Sequence, residues 1–360
     1  MSMNRQVRVL VVDDSAFMRK ILTELLQSDP QITVVGTARD GHDGVEKTAA
    51  LQPDVVTLDI EMPKLDGYGA LREIMARRPT PVVMVSSHTS EGAEATIRAL
   101  ALGAVDFVAK PSGSISLNMH ITRDELVAKV KAAAGATPRY RRVAAELPPI
   151  RREVKAVTAA MAMPAPLEVG ILPRRLVLIG CSTGGPGALH HIIPRLPPDL
   201  PAAVLVVQHM PPGFTRSLAQ RLDELSAISV KEAEEGDRVR NGRVLLAPGG
   251  YHMTVDQEGR IRLNQEPPMH GVRPAVDKTF ESVVPIWQDR TVGVILTGMG
   301  YDGGKGMVSL KKAGGRTIAE DASTCVVYGM PKVVVELGAA DQVLPVQEIA
   351  DAISRLVREG

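Results

Sequence analysis

Short apolar runs that alternate with helical patterns decide the fold class before any composition is counted. In the first third of the chain the runs are VRVLVV (7–12), ITVVG (32–36), DVVTL (54–58), PVVMVSS (81–87) and VDFVA (105–109). Nearly continuous Val/Ile/Leu strands suit a parallel sheet covered by helices on both faces. Between them, Phe17, Ile21, Leu22, Leu25 and Leu26 share one helix face behind Ser15 as N-cap. Segments 41–51, 67–76 and 91–102 repeat that pattern. Five such units predict an α/β body: a doubly wound, five-stranded parallel sheet with strand order 2-1-3-4-5.

Ligands of such flavodoxin-like sheets sit outside the carboxyl ends of the strands. Here those ends carry Asp13 and Asp14 (first strand), Asp59 (third), Ser86 (fourth) and Lys110 (fifth). The first and third strands are neighbours in this order, so three carboxylates converge. Like charges so close repel unless a cation sits among them, and an oxygen-only set selects Mg²⁺. A metal-held carboxylate facing a lysine can attack a phosphoryl group, which Lys110 would neutralise and Ser86 could hydrogen-bond. A single Asp at a strand end more often caps the next helix, but five matching positions argue against that explanation.

DDS at 13–15, LDIEMPKLDG at 58–67 and KP at 110–111 resemble the signature of two-component response-regulator receiver domains. The resemblance implies that Asp59 is the phospho-acceptor, charged by a histidine kinase. It also implies that Asp13, Asp14, Asp59 and the carbonyl of Glu61 hold Mg²⁺, and that Ser86, Phe107 and Lys110 form the switch. Many receivers carry Thr and Tyr where this chain has Ser86 and Phe107.

At about 150 residues per domain, 360 residues leave room for a second body. Residues 129 to 175 hold ten Lys/Arg against three Glu, net +7, although the whole chain is only +1. This Ala- and Pro-rich stretch keeps no period and reads as a linker, giving expected boundaries of 1–125 for the receiver, 126–173 for the linker and 174–360 for the second domain. The near-zero total charge and 3% aromatics argue against nucleic acid as a partner. Two cysteines, Cys181 and Cys325, make no disulfide framework and suit a reducing compartment. No signal-peptide pattern and no apolar run of roughly 20 residues is visible, so a cytoplasmic chain that is not membrane-embedded is expected.

The second body alternates again. Strand-like runs lie at 176–180, 203–208, 243–247 and 291–297, with a hairpin at 251–264. Helical patterns lie at 187–195, 214–226, 303–313 and 346–358, predicting a second doubly wound, mostly parallel α/β domain. Gly180-Cys181-Ser182-Thr183-Gly184 fits G-x-S-x-G between a strand and a helix, a context that lifts a serine above the sheet. The next strand ends in Gln208-His209, and 291–297 runs into Gly298-Met299-Gly300-Tyr301-Asp302-Gly303. Ser182, His209 and Asp302 can form a nucleophile–base–acid relay, with Met299 and Thr183 as oxyanion donors. Taken singly the pieces are weak. The glycine turn could instead cradle a phosphate, although no G-x-x-x-x-G-K-[ST] or G-x-G-x-x-G accompanies it. The order Ser, His, Asp also differs from that of α/β-hydrolases. Cys181 reads as a small buried residue rather than a thiol nucleophile. His190 and His191 sit in a helix pattern, and His252 and His270 stay in reserve as alternatives to His209.

GCSTGGP (180–186), QHMP (208–211), APGGYHM (247–253), HGVRPAVD (270–277) and TGMGYDG (297–303) resemble the effector domain of chemotaxis protein-glutamate methylesterases. With the receiver and linker, the resemblance covers the whole chain. It implies a phosphorylation-regulated serine hydrolase with Ser182, His209 and Asp302 as catalytic triad. Such an enzyme hydrolyses glutamate γ-methyl esters and deamidates glutamines on methyl-accepting chemotaxis receptors, with no cofactor for the hydrolysis. Cys181 stands where a small residue such as Ala is expected. Two complete sites joined by a linker suggest that the unphosphorylated receiver packs over the face bearing Ser182. Two other readings remain: a receiver-regulated binding module, or an esterase acting on other substrates.

Overall fold

The computed structural model describes residues 6–87, 89–110, 117–136 and 172–359. In the first body five strands alternate with five helices: β1 (Val7–Val12), α1 (Ala16–Gln27), β2 (Ile32–Ala38), α2 (Gly41–Leu51), β3 (Val55–Asp59), α3 (Gly67–Arg77), β4 (Val82–Ser86), α4 (Ser90–Leu102), β5 (Asp106–Ala109) and α5 (Leu117–Ala134). The sheet is parallel in the order β2-β1-β3-β4-β5, as the sequence predicts. The apolar runs are continuous because both faces are covered. Leu10 and Val12 enter one core while Val9 and Val11 enter another, and all four are fully buried. Short polar side chains start the helices: Ser15, Asp40, Asp66 and Thr89 accept from the amides of Met18, Asp43, Gly69 and Gly92. Gly67 opens α3 directly behind β3, where a Cβ would lie 2.0 Å from the carbonyl oxygen of Asp59, so only glycine lets the backbone pass the strand end.

The receiver boundary expected at residue 125 is too early. α5 runs on to Ala134, and Leu126, Val130 and Ala133, spaced i, i+4, i+7, are fully buried in the receiver core. Lys129 and Lys131, counted with the basic linker, bind receiver acids instead: Lys129 to Glu125 (2.8 Å) and Asp106 (3.4 Å), Lys131 to Asp29 (3.0 Å). Residues 137–171 of the expected linker lie outside the described residues. The second body is in place by Leu172, which packs on its core, and the Trp287 indole N–H donates to the Pro173 carbonyl.

This second body contains β6 (Arg175–Cys181), α6 (Gly185–Ile192), β7 (Ala202–Gln208), α7 (Phe214–Leu225), β8 (Ser229–Glu232), β9 (Arg243–Leu246), β10 (His252–Val255), β11 (Ile261–Asn264), α8 (Val276–Trp287), β12 (Thr291–Ile295), α9 (Gly304–Lys312), β13 (Arg316–Glu320), α10 (Met330–Glu336), β14 (Gln342–Leu344) and α11 (Val346–Leu356). Seven strands form an all-parallel sheet in the order β14-β13-β12-β6-β7-β9-β8, while β10 and β11 make the expected hairpin. The chain winds outward from β6 to one side through β7 and to the other through β12. The switch point, where such sheets open a crevice for ligands, therefore lies between β6 and β12. The two bodies share an apolar contact. α4 packs on α6 and α7, and Phe107 at the start of β5 stacks on Phe214, the first residue of α7, with ring centroids 4.3 Å apart.

Candidate active site

At the carboxyl edge of the receiver sheet, Asp13, Asp14 and Asp59 present oxygens within 4.8 Å of one another. Lys110 Nζ reaches Asp59 Oδ2 at 2.7 Å and stands 3.4 Å from Asp13 Oδ2. Burial raises the Asp59 carboxyl from an ordinary 3.8 to about 6, against the pull of Lys110 and with the help of the Asp13 charge. Asp13 is raised chiefly by burial too. Burial opposes the Lys110 cation, but Asp59 and Asp13 outweigh it and keep the ammonium protonated above its usual range. Asp13 Oδ2 is buried without a hydrogen-bond partner among the described residues, as an oxygen facing an ion would be. An all-oxygen set in which Asp13 Oδ2 makes no hydrogen bond and only the 3.4 Å ion pair to Lys110 fits a hard divalent cation. Glu61 N donates to Asp59 Oδ1 at 3.3 Å, which sets the backbone of residue 61 beside the acceptor, while the Glu61 carboxylate accepts from Ser87. Ser86 is fully buried and turned toward α4, its hydroxyl on the Gly92 carbonyl (3.1 Å) and Thr96 (2.8 Å) rather than on Asp59. Phe107 is buried against Phe214.

The second site occupies the switch point of the seven-stranded sheet. β6 and β7 run in register with Cys181 opposite Gln208, so Ser182 and His209 are the first residues beyond two adjacent strand ends. The Gln208 amide clamps them, its Nε2 donating to the carbonyls of Ser182 (2.9 Å) and His209 (3.0 Å). Cys181 is absorbed in that clamp: its thiol donates to Gln208 Oε1 at 3.1 Å, and burial pushes its ionisation far up, which removes it as a nucleophile. Gly185 makes the approach possible, since a Cβ there would lie 2.0 Å from Gln208 Oε1. From β12, the turn 298–303 delivers Asp302, whose Oδ2 meets His209 Nε2 at 2.8 Å. Asp302 is 3% exposed, yet its pKa lies below the usual range. Burial would raise it, but His209 and the amides of Val276 (2.7 Å) and Asp277 (2.9 Å), at the N-terminus of α8, outweigh that. An ionised Asp302 only accepts, so the proton of that contact is on His209 Nε2, and Nδ1 is left as the basic nitrogen. The described residues contain no Ser182 hydroxyl–His209 bond; strand register alone sets the two side by side.

Thr183 is buried at the entry to α6, with its carbonyl held by the Thr297 hydroxyl at 2.9 Å, whereas Met299 is 40% exposed on the opposite lip. Three supports escaped the sequence reading. Glu320, at the end of β13, accepts from Thr297 N (2.8 Å) and Thr324 Oγ1 (2.8 Å) and so fixes the end of β12. An acid closing the apolar run TIA was the available signal. Gln208 is the second. Asp277 is the third, binding His270 Nε2 (2.9 Å) and Gly306 N (2.8 Å). Of the reserve histidines, His252 is buried with Nε2 near the Pro267 carbonyl and His270 is taken by Asp277, while His190, on α6, faces the Pro186 carbonyl.

Comparison with known proteins resolves the two bodies. A sequence model described as response regulator receiver domain matches residues 9–122, and one described as CheB methylesterase matches residues 177–353. Fold and sequence models together define a receiver-linked hydrolase. The chain is 78% identical to the protein-glutamate methylesterase/protein-glutamine glutaminase of Symbiobacterium thermophilum, over 99% of this chain and 98% of the relative. It is 51% identical to that of Pyrococcus abyssi, over 98% and 94%. The chain belongs to the protein-glutamate methylesterase/protein-glutamine glutaminase family. The crystal structure of the Thermotoga maritima CheB methylesterase catalytic domain matches with a TM-score of 0.50 at 51% identity, covering 51% of this chain and 98% of that one. No helix among the described residues is long and apolar enough to cross a membrane.

Proposed function

We propose that the enzyme hydrolyses glutamate γ-methyl esters, and deamidates glutamines, on the cytoplasmic parts of methyl-accepting chemotaxis receptors, using Ser182, His209 and Asp302. The observation that carries this reading is the 2.8 Å His209–Asp302 contact beside Ser182 at the switch point. Ser182 Oγ attacks the ester or amide carbonyl while His209 Nδ1 takes its proton. Asp302 holds the resulting imidazolium, and the amides of Thr183 and Met299 receive the developing oxyanion. The imidazolium then returns the proton to the departing methanol or ammonia, and a water molecule activated by His209 releases glutamate and Ser182. Both substrates are acyl groups on the same γ-carbon, so one relay serves both.

Control belongs to the receiver. Asp59 takes a phosphoryl group from a histidine kinase, and Lys110 stays paired with the product. Asp13, Asp14, Asp59 and the Glu61 carbonyl would hold Mg²⁺, which offsets charge on the transferring phosphoryl group. The protein works in the cytoplasm as a soluble partner of membrane receptors, without nucleic acid. The resting receiver limits access to Ser182 because α4 and Phe107 lean on α6 and α7, the helices that follow Ser182 and His209. Phosphorylation draws Ser86 toward Asp59 and away from α4, loosening that contact by a population shift.

Methanol release from methylated receptors, with and without a small phosphodonor, tests the whole reading. Release that the donor accelerates is expected. Release from a small ester but not from receptors would assign the site to other substrates. In the same assay Phe107→Ala, which removes the ring stacked on Phe214, is expected to raise the donor-free rate several-fold; an unchanged rate refutes the regulatory contact.

A further inference from the structure

Two buried carboxylates, not one, stand behind His209. Asp302 Oδ2 takes His209 and Val276 N, while Oδ1 takes Asp277 N and lies 3.9 Å from His270 Nε2. Asp277 is 2% exposed; its Oδ1 takes Gly306 N and its Oδ2 takes His270 Nε2 at 2.9 Å. The His270 ring stands edge-on to Tyr301, centroids 4.8 Å apart, in the turn that carries Asp302. The His270, Asp277 and Asp302 ligand atoms lie within 4.8 Å of one another, a spacing that could hold a metal ion. Each carboxylate oxygen, however, already accepts an amide or imidazole proton. An imidazole facing two uncompensated acids would keep its proton at neutral pH and could not act as a base.

Resting on the hydrolytic role proposed above, we propose that His270 is a positioning residue: paired with Asp277, it cancels the second buried charge, so that His209 answers to Asp302 alone. The titratable groups facing His270 are Asp277 on α8 and Tyr301 and Asp302 on the turn after β12; His209, after β7, meets it only through Asp302. Burial first, and the Asp302 charge with it, raise the Asp277 carboxyl, so the second acid is costly to leave charged without the His270 contact.

The test is the acid limb of the kcat/KM–pH profile for methanol release by the intact protein. His270→Gln keeps a donor for Asp277 but removes the imidazole. Its limb is expected to move up by about one pH unit, giving a rate about 10-fold below wild type on the acid side and near wild type on the alkaline side. His270→Gln/Asp277→Asn, with both charges gone, is expected to bring the limb back. A limb that stays put in His270→Gln, an equal loss at every pH, or a displaced limb that the double variant does not restore overturns the proposal. If His270→Gln does not fold, His270→Asn takes its place, with the same displacement expected and the same outcomes overturning the proposal. Wild-type protein that releases no methanol refutes the hydrolytic reading itself, a result distinct from all of these.

Discussion

Ser182→Ala is expected to lower methanol release from methylated receptors by about 10⁴-fold or more while leaving the protein folded and phosphorylatable. The bonds that fix residue 182 are main-chain ones: its amide donates to the Thr297 carbonyl at 3.1 Å and its carbonyl accepts from Gln208. Removing Oγ therefore takes away the nucleophile without disturbing the strand end, and the melting midpoint should not move. The neighbouring Cys181 cannot substitute, because its thiol is buried, committed to Gln208 and held in the neutral form. The residual rate reports oxyanion and binding contributions alone. A protein whose second body only binds receptors would keep its function in this variant, and retention of more than a tenth of the activity would sink the serine mechanism.

How much of this was legible beforehand depended on whether a residue's role was local. β1 and β6 announced themselves because both faces of each strand are buried, leaving unbroken apolar runs. Ser182, His209 and Asp302 stand out as candidates because glycines and strand ends surround them, and the two domain types follow from the motifs. α8 was missed because Pro285 lies inside it, and β14 because it has three residues with Val343 41% exposed. The end of α5 was hidden by Lys129 and Lys131, whose charges looked like linker until Asp106, Glu125 and Asp29 were brought to them. The Gln208 clamp, the Glu320 anchor and the His270–Asp277 pair depend on which strands become neighbours. Spacing along one chain cannot carry that information.

Asp59→Asn is expected to abolish phosphoryl incorporation outright, since an amide oxygen is no nucleophile toward phosphorus, and to hold the enzyme at its donor-free rate whatever phosphodonor is added. The same change should stabilise the receiver. Three carboxylates crowd this edge, one ammonium pairs with two of them, and burial has raised Asp59 from 3.8 to about 6. Because the folded-state value lies above the unfolded one, protonation favours the folded state. The contribution of Asp59 is full below about pH 4 and is lost as pH rises through about 6. The substituted amide is neutral throughout, so the difference in melting midpoint between variant and wild type should be near zero at pH 4. It should grow to a few degrees in favour of the variant at pH 7 in a chelator. Added Mg²⁺ should then raise the wild-type midpoint and leave the variant's nearly unchanged, because one of its three carboxylate ligands is gone. A variant less stable than wild type at pH 7 would mean that the Lys110–Asp59 pair outweighs the burial of the charge. In that case the receiver stores no electrostatic strain for phosphorylation to relieve.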